Sequence, residues 1–302
     1  MPDQDTMIPL SAAGKQLDTS AKRLGRLLAS DPGLPMDELR ARYARDGYLW
    51  LKGLLDPQDI TDFRGWVFSN LAGSGLLLPG SEPAQGLANP AEPDRSDIDR
   101  RLARLARTAR FEGACTDRRL TAFIDAFIGG ASTLLKRKIM RLTRPGSGVA
   151  TPAHYDLIYL RGGSSDLVTV WIPVGDIAVA DGGLAYLEGS HTLGTKMERE
   201  FTIKNADLSP EERISAYNVN MSKGGWVSKD LPDMAERFDT RWLIADYAAG
   251  DVVLHSPFMI HASTDNVSET GRIRLSIDIR FQDVDGAIDA RWGNHWFPGD
   301  NL

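Results

Sequence analysis

Residues 272–281 read Arg-Ile-Arg-Leu-Ser-Ile-Asp-Ile-Arg-Phe. Side chains of an extended chain point alternately to opposite faces. Ile273, Leu275, Ile277, Ile279 and Phe281 therefore share one face, and Arg272, Arg274, Ser276, Asp278 and Arg280 share the other. Such a strand buries its first face in apolar contacts and turns the second toward something wet or chemical. Working outward, Asp166–Val174 repeats the pattern, with Val168, Val170, Ile172 and Val174 opposite Thr169 and Trp171. Leu135–Leu142 and Asp251–His255 read as further strands. Earlier in the chain the period is helical. Helices are expected from Pro35 to Arg45, stopped by Gly47, and from the Asp56 cap through Leu71. Two more are expected over Asp97–Arg110 and Asp117–Phe127, the second ending at Gly129-Gly130. The first thirty residues read as a loosely attached lead-in with a short helix near Ala21–Ala29, and 73–96 as a long loop. Helices first and strands later argue against a doubly wound sheet, where the two alternate. They suit an α+β chain whose mainly β core is a jelly roll with helices packed outside.

Composition narrows the function. With 35 basic against 41 acidic residues the net charge is -6, which argues against a nucleic-acid partner. No stretch is long and apolar enough for a membrane helix, and the first ten residues lack the basic start and apolar run of a secretory signal. One cysteine, Cys115, excludes an internal disulfide and a Cys-rich zinc module. A cytoplasmic enzyme or binding protein is the expectation that remains.

Five histidines are available: His154, His191, His255, His261 and His295. His154 precedes Asp156 by two positions, so on a strand an imidazole and a carboxylate reach one point. His261 follows the strand that ends at His255 and supplies a third ligand. Two histidines and a carboxylate on one face of a metal, with the other positions open, is the arrangement for non-heme Fe(II) oxygen chemistry. His255 is the alternative to His261. Arg272, eleven positions beyond His261, offers a permanent charge for the far carboxylate of a bound dicarboxylate, with Arg274 on the same face as its rival. His191, in a Gly-Ser-His turn, and His295, between Trp292 and Trp296, read as structural. The stripe Arg100, Arg104, Arg107 reads as a solvated helix face, or as a seat for an anionic substrate.

Several segments, in order, resemble the phytanoyl-CoA dioxygenase family of Fe(II)- and 2-oxoglutarate-dependent oxygenases. They are RDGYLWLKGLL (45–55), TPAHYD (151–156), VTVWIPVGDIAVADGGLAYLEGSH (168–191), AGDVVLHSPFMIHASTDN (249–266) and GRIRLSIDIRFQ (271–282). The resemblance implies a double-stranded β-helix, a cupin-like jelly roll, with flanking N-terminal helices. It implies Fe(II) as cofactor, 2-oxoglutarate and O2 as co-substrates, and His154, Asp156 and His261 as metal ligands and catalytic residues. It carries Arg272 onto the anchor of the 2-oxoglutarate C5 carboxylate, Ser263 onto its small hydroxyl support, and Trp171 onto an aromatic wall. Lys138 falls on a co-substrate position where relatives often have Gln. Tyr155, Arg141 and Trp226 are expected at the substrate. Because Asp156 is a carboxylate, the chain does not resemble a halogenase.

The expected organisation is one oxygenase domain over 1–302. Its parts are a lead-in (1–34), a mostly helical flank (35–134), the β core (135–282) and a tail (283–302). Between Gly194 and Asp251 the β pattern lapses, with helical pieces at Ser209–Ala216 and Leu231–Phe238 and tryptophans at 226 and 242. Residues 195–250 are therefore expected to form a lid-like insertion. The expected activity is hydroxylation of an unactivated C–H bond of a small molecule, with succinate and CO2 as co-products, in the manner of bacterial secondary metabolism. The alternatives are a non-catalytic jelly-roll binding protein and a cupin-like metalloenzyme that needs no 2-oxoglutarate.

Overall fold

The computed structural model describes residues 9–209, 212 and 226–298. Two sheets carry the architecture. In the larger, six strands run in the order β4 (Ala29–Ser30), β5 (Tyr48–Leu51), β11 (Val252–His255), β8 (Leu167–Pro173), β13 (Arg274–Asp283) and β6 (Ser132–Leu134). A seventh, β7 (Ile139–Thr143), also pairs with β13. The smaller sheet runs β12 (His261–Ser263), β9 (Leu184–Leu187), β10 (Trp242–Ile244) and β3 (Leu24–Arg26). All pairings are antiparallel except β4 with β5 and β10 with β3. A separate hairpin joins β1 (Ser11–Ala12) to β2 (Lys15–Gln16).

The alternation of β8 and β13 sets the layers. Val168, Val170, Ile172, Leu275, Ile277, Ile279 and Phe281 form one core with α1 (Met36–Asp46), α2 (Pro57–Leu71), α3 (Arg95–Leu105), α4 (Ala109–Cys115) and α5 (Arg118–Ile128). The opposite face meets the small sheet through Trp171, Tyr48, Val253, Tyr186, Leu184 and Leu243. Tyr48 of the large sheet stacks on Tyr186 of the small one, with ring centroids 5.4 Å apart. Helix ends follow local chemistry. Asp56 and Asp117 cap α2 and α5 with their side chains, and Gly47 closes α1 in the left-handed region. At Gly47 a β-carbon would lie 2.7 Å from the His191 ring, so His191 is a packing residue.

Several expectations need correction. The stretch near Ala21–Ala29 is strand, not helix, because Leu24–Arg26 pairs alongside Trp242–Ile244, where Gly25 admits the Arg241 side chain. The described part of the lead-in, from residue 9, is held to the body: Leu10, Ala12 and Leu17 are buried, and Asp265 accepts from Ser11 Oγ and the amides of Ala13 and Gly14. The expected helix over Asp97–Arg110 is two, because Thr108 caps a new one. Of the expected strand Leu135–Leu142 only Ile139–Leu142 is strand, in β7; β6 ends before it at Leu134, and the two pair with different parts of β13. The stretch 195–250 is not wholly an insertion. After α7 (Ser190–Lys204) and α8 (Leu231–Arg237) it contributes β10, an inner strand of the small sheet, whose Trp242 is buried and donates to Leu231 O at 2.8 Å. Most of the piece Ser209–Ala216 lies outside the described residues.

Candidate metal centre

His154 and His261 face one another as a cross-strand pair. His154 N donates to His261 O at 3.0 Å and His261 N to His154 O at 2.9 Å, and the two rings are 4.3 Å apart between centroids. Both side chains therefore leave the same face. Two residues on, the chain has already turned. Asp156 has helical dihedrals and opens α6 (Leu157–Leu160), so a turn rather than strand parity carries its carboxylate to the histidines. Asp156 Oδ1 lies 3.7 Å from Nε2 of each histidine. His154, Asp156 and His261 are all buried, with ligand atoms within 4.8 Å of one another.

Hydrogen bonding fixes which atoms are free. His154 Nδ1 donates to Pro152 O at 2.8 Å, and His261 Nδ1 to Met259 O at 2.9 Å. Each Nε2 thus presents a lone pair inward, as a metal-binding imidazole does. Asp156 Oδ2 accepts from His255 Nε2 at 3.3 Å and from Thr169 Oγ1, and Arg280 Nη2 forms an ion pair with it at 3.0 Å. Oδ1 is buried without a hydrogen-bond partner. A buried orphan acceptor beside two inward lone pairs is the donor set that a divalent cation satisfies.

The charge states agree. Burial would raise the Asp156 pKa, but the Arg280 guanidinium, the His255 bond and the neighbouring imidazoles hold it well below the usual carboxylate range. Burial lowers His154. It lowers His261 further, helped by the neighbouring imidazoles of His154 and His255. The triad is therefore one carboxylate and two neutral rings at neutral pH.

A cavity opens beside these atoms. It is lined by Arg141, Thr151, Trp171, Leu184, Ser263, Arg274 and Asp278 as well as His154, His255 and His261. Trp171 and Ser263, expected at the co-substrate, and Arg141, expected at the substrate, all line this cavity. Ser263 Oγ accepts from Thr151 N at 2.7 Å, and Arg141 Nε donates to Asp278 at 3.3 Å. Arg274 is buried. Its Nε donates to Gly182 O and its Nη1 to Ser276 Oγ, both at 3.0 Å. Among the described residues no carboxylate pairs with it, and burial, with Arg141 nearby, pulls its pKa down to about 10.

Arg272 is not in this cavity. Gly271–Ile273 pairs with the loop at 86–88 instead of with β7 or β8, so β13 begins at Arg274. Arg272 lines a separate hollow with Arg64, Asp176 and Thr270. Arg274, its rival two positions on with the same parity, is the one of the two that lines the cavity. Lys138 is also elsewhere: it is buried against α4, in an ion pair with Glu112. Tyr155 points away from its neighbours His154 and Asp156 and donates to Glu198 at 3.1 Å. Trp226 does not line the cavity, although the residues after it pair with Ala153, beside His154.

His255 does line the cavity but serves the carboxylate. Its Nε2 donates to Asp156, so its Nδ1 accepts from Tyr186 OH at 2.8 Å, the opposite tautomer from His154 and His261. Sequence reasoning missed Thr169, Arg280, Asp278 and Tyr186 as members of the site. The signal for the first three was present: polar residues at alternate positions of otherwise apolar strands.

Comparison with known proteins adds to this geometry. The family model for phytanoyl-CoA dioxygenase matches residues 43–274. The chain is 31% identical over 133 residues to a 1-deoxypentalenic acid 11-beta-hydroxylase of Streptomyces arenae, a match covering 44% of this chain and 41% of that protein. It is 24% identical over 248 residues to the enzyme of that name from Streptomyces exfoliatus, covering 80% and 78%. Among solved structures it resembles the epimerase SnoN in complex with Fe3+, alpha ketoglutarate and nogalamycin RO. That match has a TM-score of 0.57 and 20% identity over 88% of this chain and 91% of that one, a likeness of fold.

Proposed function

The chain belongs to the phytanoyl-CoA dioxygenase family, and we propose that it is an Fe(II)- and 2-oxoglutarate-dependent hydroxylase of a small molecule. The observation that carries the reading is the orphaned Asp156 Oδ1 held 3.7 Å from two inward imidazole nitrogens. In this reading His154, Asp156 and His261 hold the iron. The iron, with 2-oxoglutarate and O2, supplies the oxidation of an unactivated C–H bond and releases succinate and CO2.

The chain's own residues do the rest. Arg274 is a buried guanidinium with no carboxylate partner among the described residues, and it receives the distal carboxylate of 2-oxoglutarate by charge-assisted hydrogen bonds. Ser263 supports that end, and Trp171 with Leu184 walls the co-substrate from water. Arg141, partly exposed beside Asp278, stands on the substrate side. The hydroxylase relatives, named for 1-deoxypentalenic acid, support a small-molecule substrate, and the proposal places the reaction in secondary metabolism. The neighbour bound to Fe3+ and alpha ketoglutarate, another name for 2-oxoglutarate, supports the cofactor assignment. The same proposal takes the two sheets as a double-stranded β-helix and the chain as one oxygenase domain. Described helices include none able to cross a membrane.

Single alanine substitutions test the ligands. His154→Ala, Asp156→Ala and His261→Ala should each lose iron content and succinate production together. If His261→Ala keeps both and His255→Ala loses both, the ligand assignment is wrong.

A further inference from the structure

Asp156 has two oxygens in sharply different surroundings. Oδ1 has no hydrogen-bond partner, whereas Oδ2 takes two hydrogen bonds and an ion pair, one from each of three adjacent strands of the large sheet. Register explains the convergence. Thr169 on β8 is paired directly with His255 on β11 on one side and with Arg280 on β13 on the other. The three side chains therefore form a row across the sheet and point at one oxygen. Two of the three are themselves restrained. Tyr186 holds the tautomer of His255. Arg280 lies 4.8 Å from the Trp292 ring centroid and 3.1 Å from Asp278.

We propose that the row His255–Thr169–Arg280 keeps Asp156 a one-oxygen ligand. The proposal rests on the reading of His154, Asp156 and His261 as metal ligands. A carboxylate can bind a metal through one oxygen or both. Binding through both would take a coordination position that a chelating co-substrate or O2 needs. With three partners on Oδ2, turning the carboxylate toward the metal would break two hydrogen bonds and an ion pair to a guanidinium. The row contacts the ligand and not the metal, so its members are positioning residues.

The test replaces one donor without changing shape. Thr169→Val removes the hydroxyl hydrogen bond, and Thr169→Ser keeps it. Two signals are read: Fe(II) affinity by chelator competition, and the visible ligand-field bands of the Co(II)-loaded protein, which report coordination number. Thr169→Val should weaken Fe(II) binding by about 10–100-fold, the usual cost of losing an outer-shell partner. It should also shift the Co(II) bands as the second oxygen binds, and Thr169→Ser should restore both signals. Thr169→Ala removes the same donor and decides the question if the valine variant does not fold. Wild-type Co(II) bands in a folded variant lacking the hydroxyl overturn the proposal. Asp156→Ala separates the two claims: if it still binds Co(II) as wild type does, the ligand reading fails and the row falls with it. If Asp156→Ala loses Co(II) while Thr169→Val is unchanged, only the row fails.

Discussion

The two faces of β13 are equally buried and differently made. Outward, Leu275, Ile277, Ile279 and Phe281 sit in a dry core with the helices. Inward, Arg274, Ser276, Asp278, Arg280 and Gln282 are also at most 6% exposed, yet every one is polar. The outward face is favourable by itself, since burying apolar surface needs no partner. The inward face is unfavourable unless each charge is answered. Arg280 is answered by Asp156 and Asp278, and Arg274 by a carbonyl and a hydroxyl alone. One face therefore holds the fold, and the other holds a site whose remaining electrostatic demand is for a cation at Asp156 and an anion at Arg274.

Breaking the inward face should have the largest effect. Arg280→Met leaves Asp156 buried without its guanidinium, a loss of about 3–5 kcal/mol for such pairs, readable as a lower urea midpoint. Metal binding should fall with it. Adding Asp156→Asn should recover much of the stability and none of the metal binding. On the outward face, Ile277→Ala should cost about 2–5 kcal/mol through the cavity it leaves. Iron affinity of the folded protein should be unchanged, because no metal-site contact is made from that side. A fall in iron affinity matching that of Arg280→Met would show that the two faces are not separable.

Arg274→Gln sharpens the contrast within the inward face. It removes a charged hydrogen-bonding partner worth about 1.5–3 kcal/mol, so the Kd for 2-oxoglutarate should rise roughly ten- to a hundredfold with iron affinity intact. Arg272→Gln should leave that Kd alone. The reverse result would restore the anchor that the sequence first suggested.

The smallest effect is on pH dependence. His154 and His261 titrate below their ordinary range in the folded protein. Between their folded pKa values and the unfolded value of about 6.5 the unfolded chain binds more protons, so stability falls as pH falls through that window. Thermal unfolding of the metal-free protein should thus occur at lower temperature at pH 5.5 than at pH 7.5. His154→Phe should flatten the difference, and Ile277→Ala should preserve it.

Much of this was legible because strand alternation is a strong local signal. The faces of β8 and β13 could be read from spacing. His154 and Asp156 were singled out too, although a turn and not strand alternation joins them, and the family resemblance rather than spacing favoured His261 over His255. What was not legible depended on partners far away in sequence. Arg272 and Arg274 have the same parity, and only the pairing of Gly271–Ile273 with the loop at 86–88 decides which one enters the cavity. Lys138 looked inward until α4 brought Glu112 to it. Trp242–Ile244 is too short to announce itself as a strand, and it is one because β9 and β3 flank it. The role of Thr169 required the register of three strands at once.

The central claim is that one iron and one 2-oxoglutarate meet between Asp156 and Arg274. It is tested most directly by anaerobic titration of the Fe(II)-loaded protein with 2-oxoglutarate, followed by the weak visible charge-transfer band of the chelate. A saturable band at one equivalent is predicted, absent in His261→Ala and needing far more 2-oxoglutarate in Arg274→Gln. No band in the wild-type protein, or an undiminished band in His261→Ala, would contradict the account.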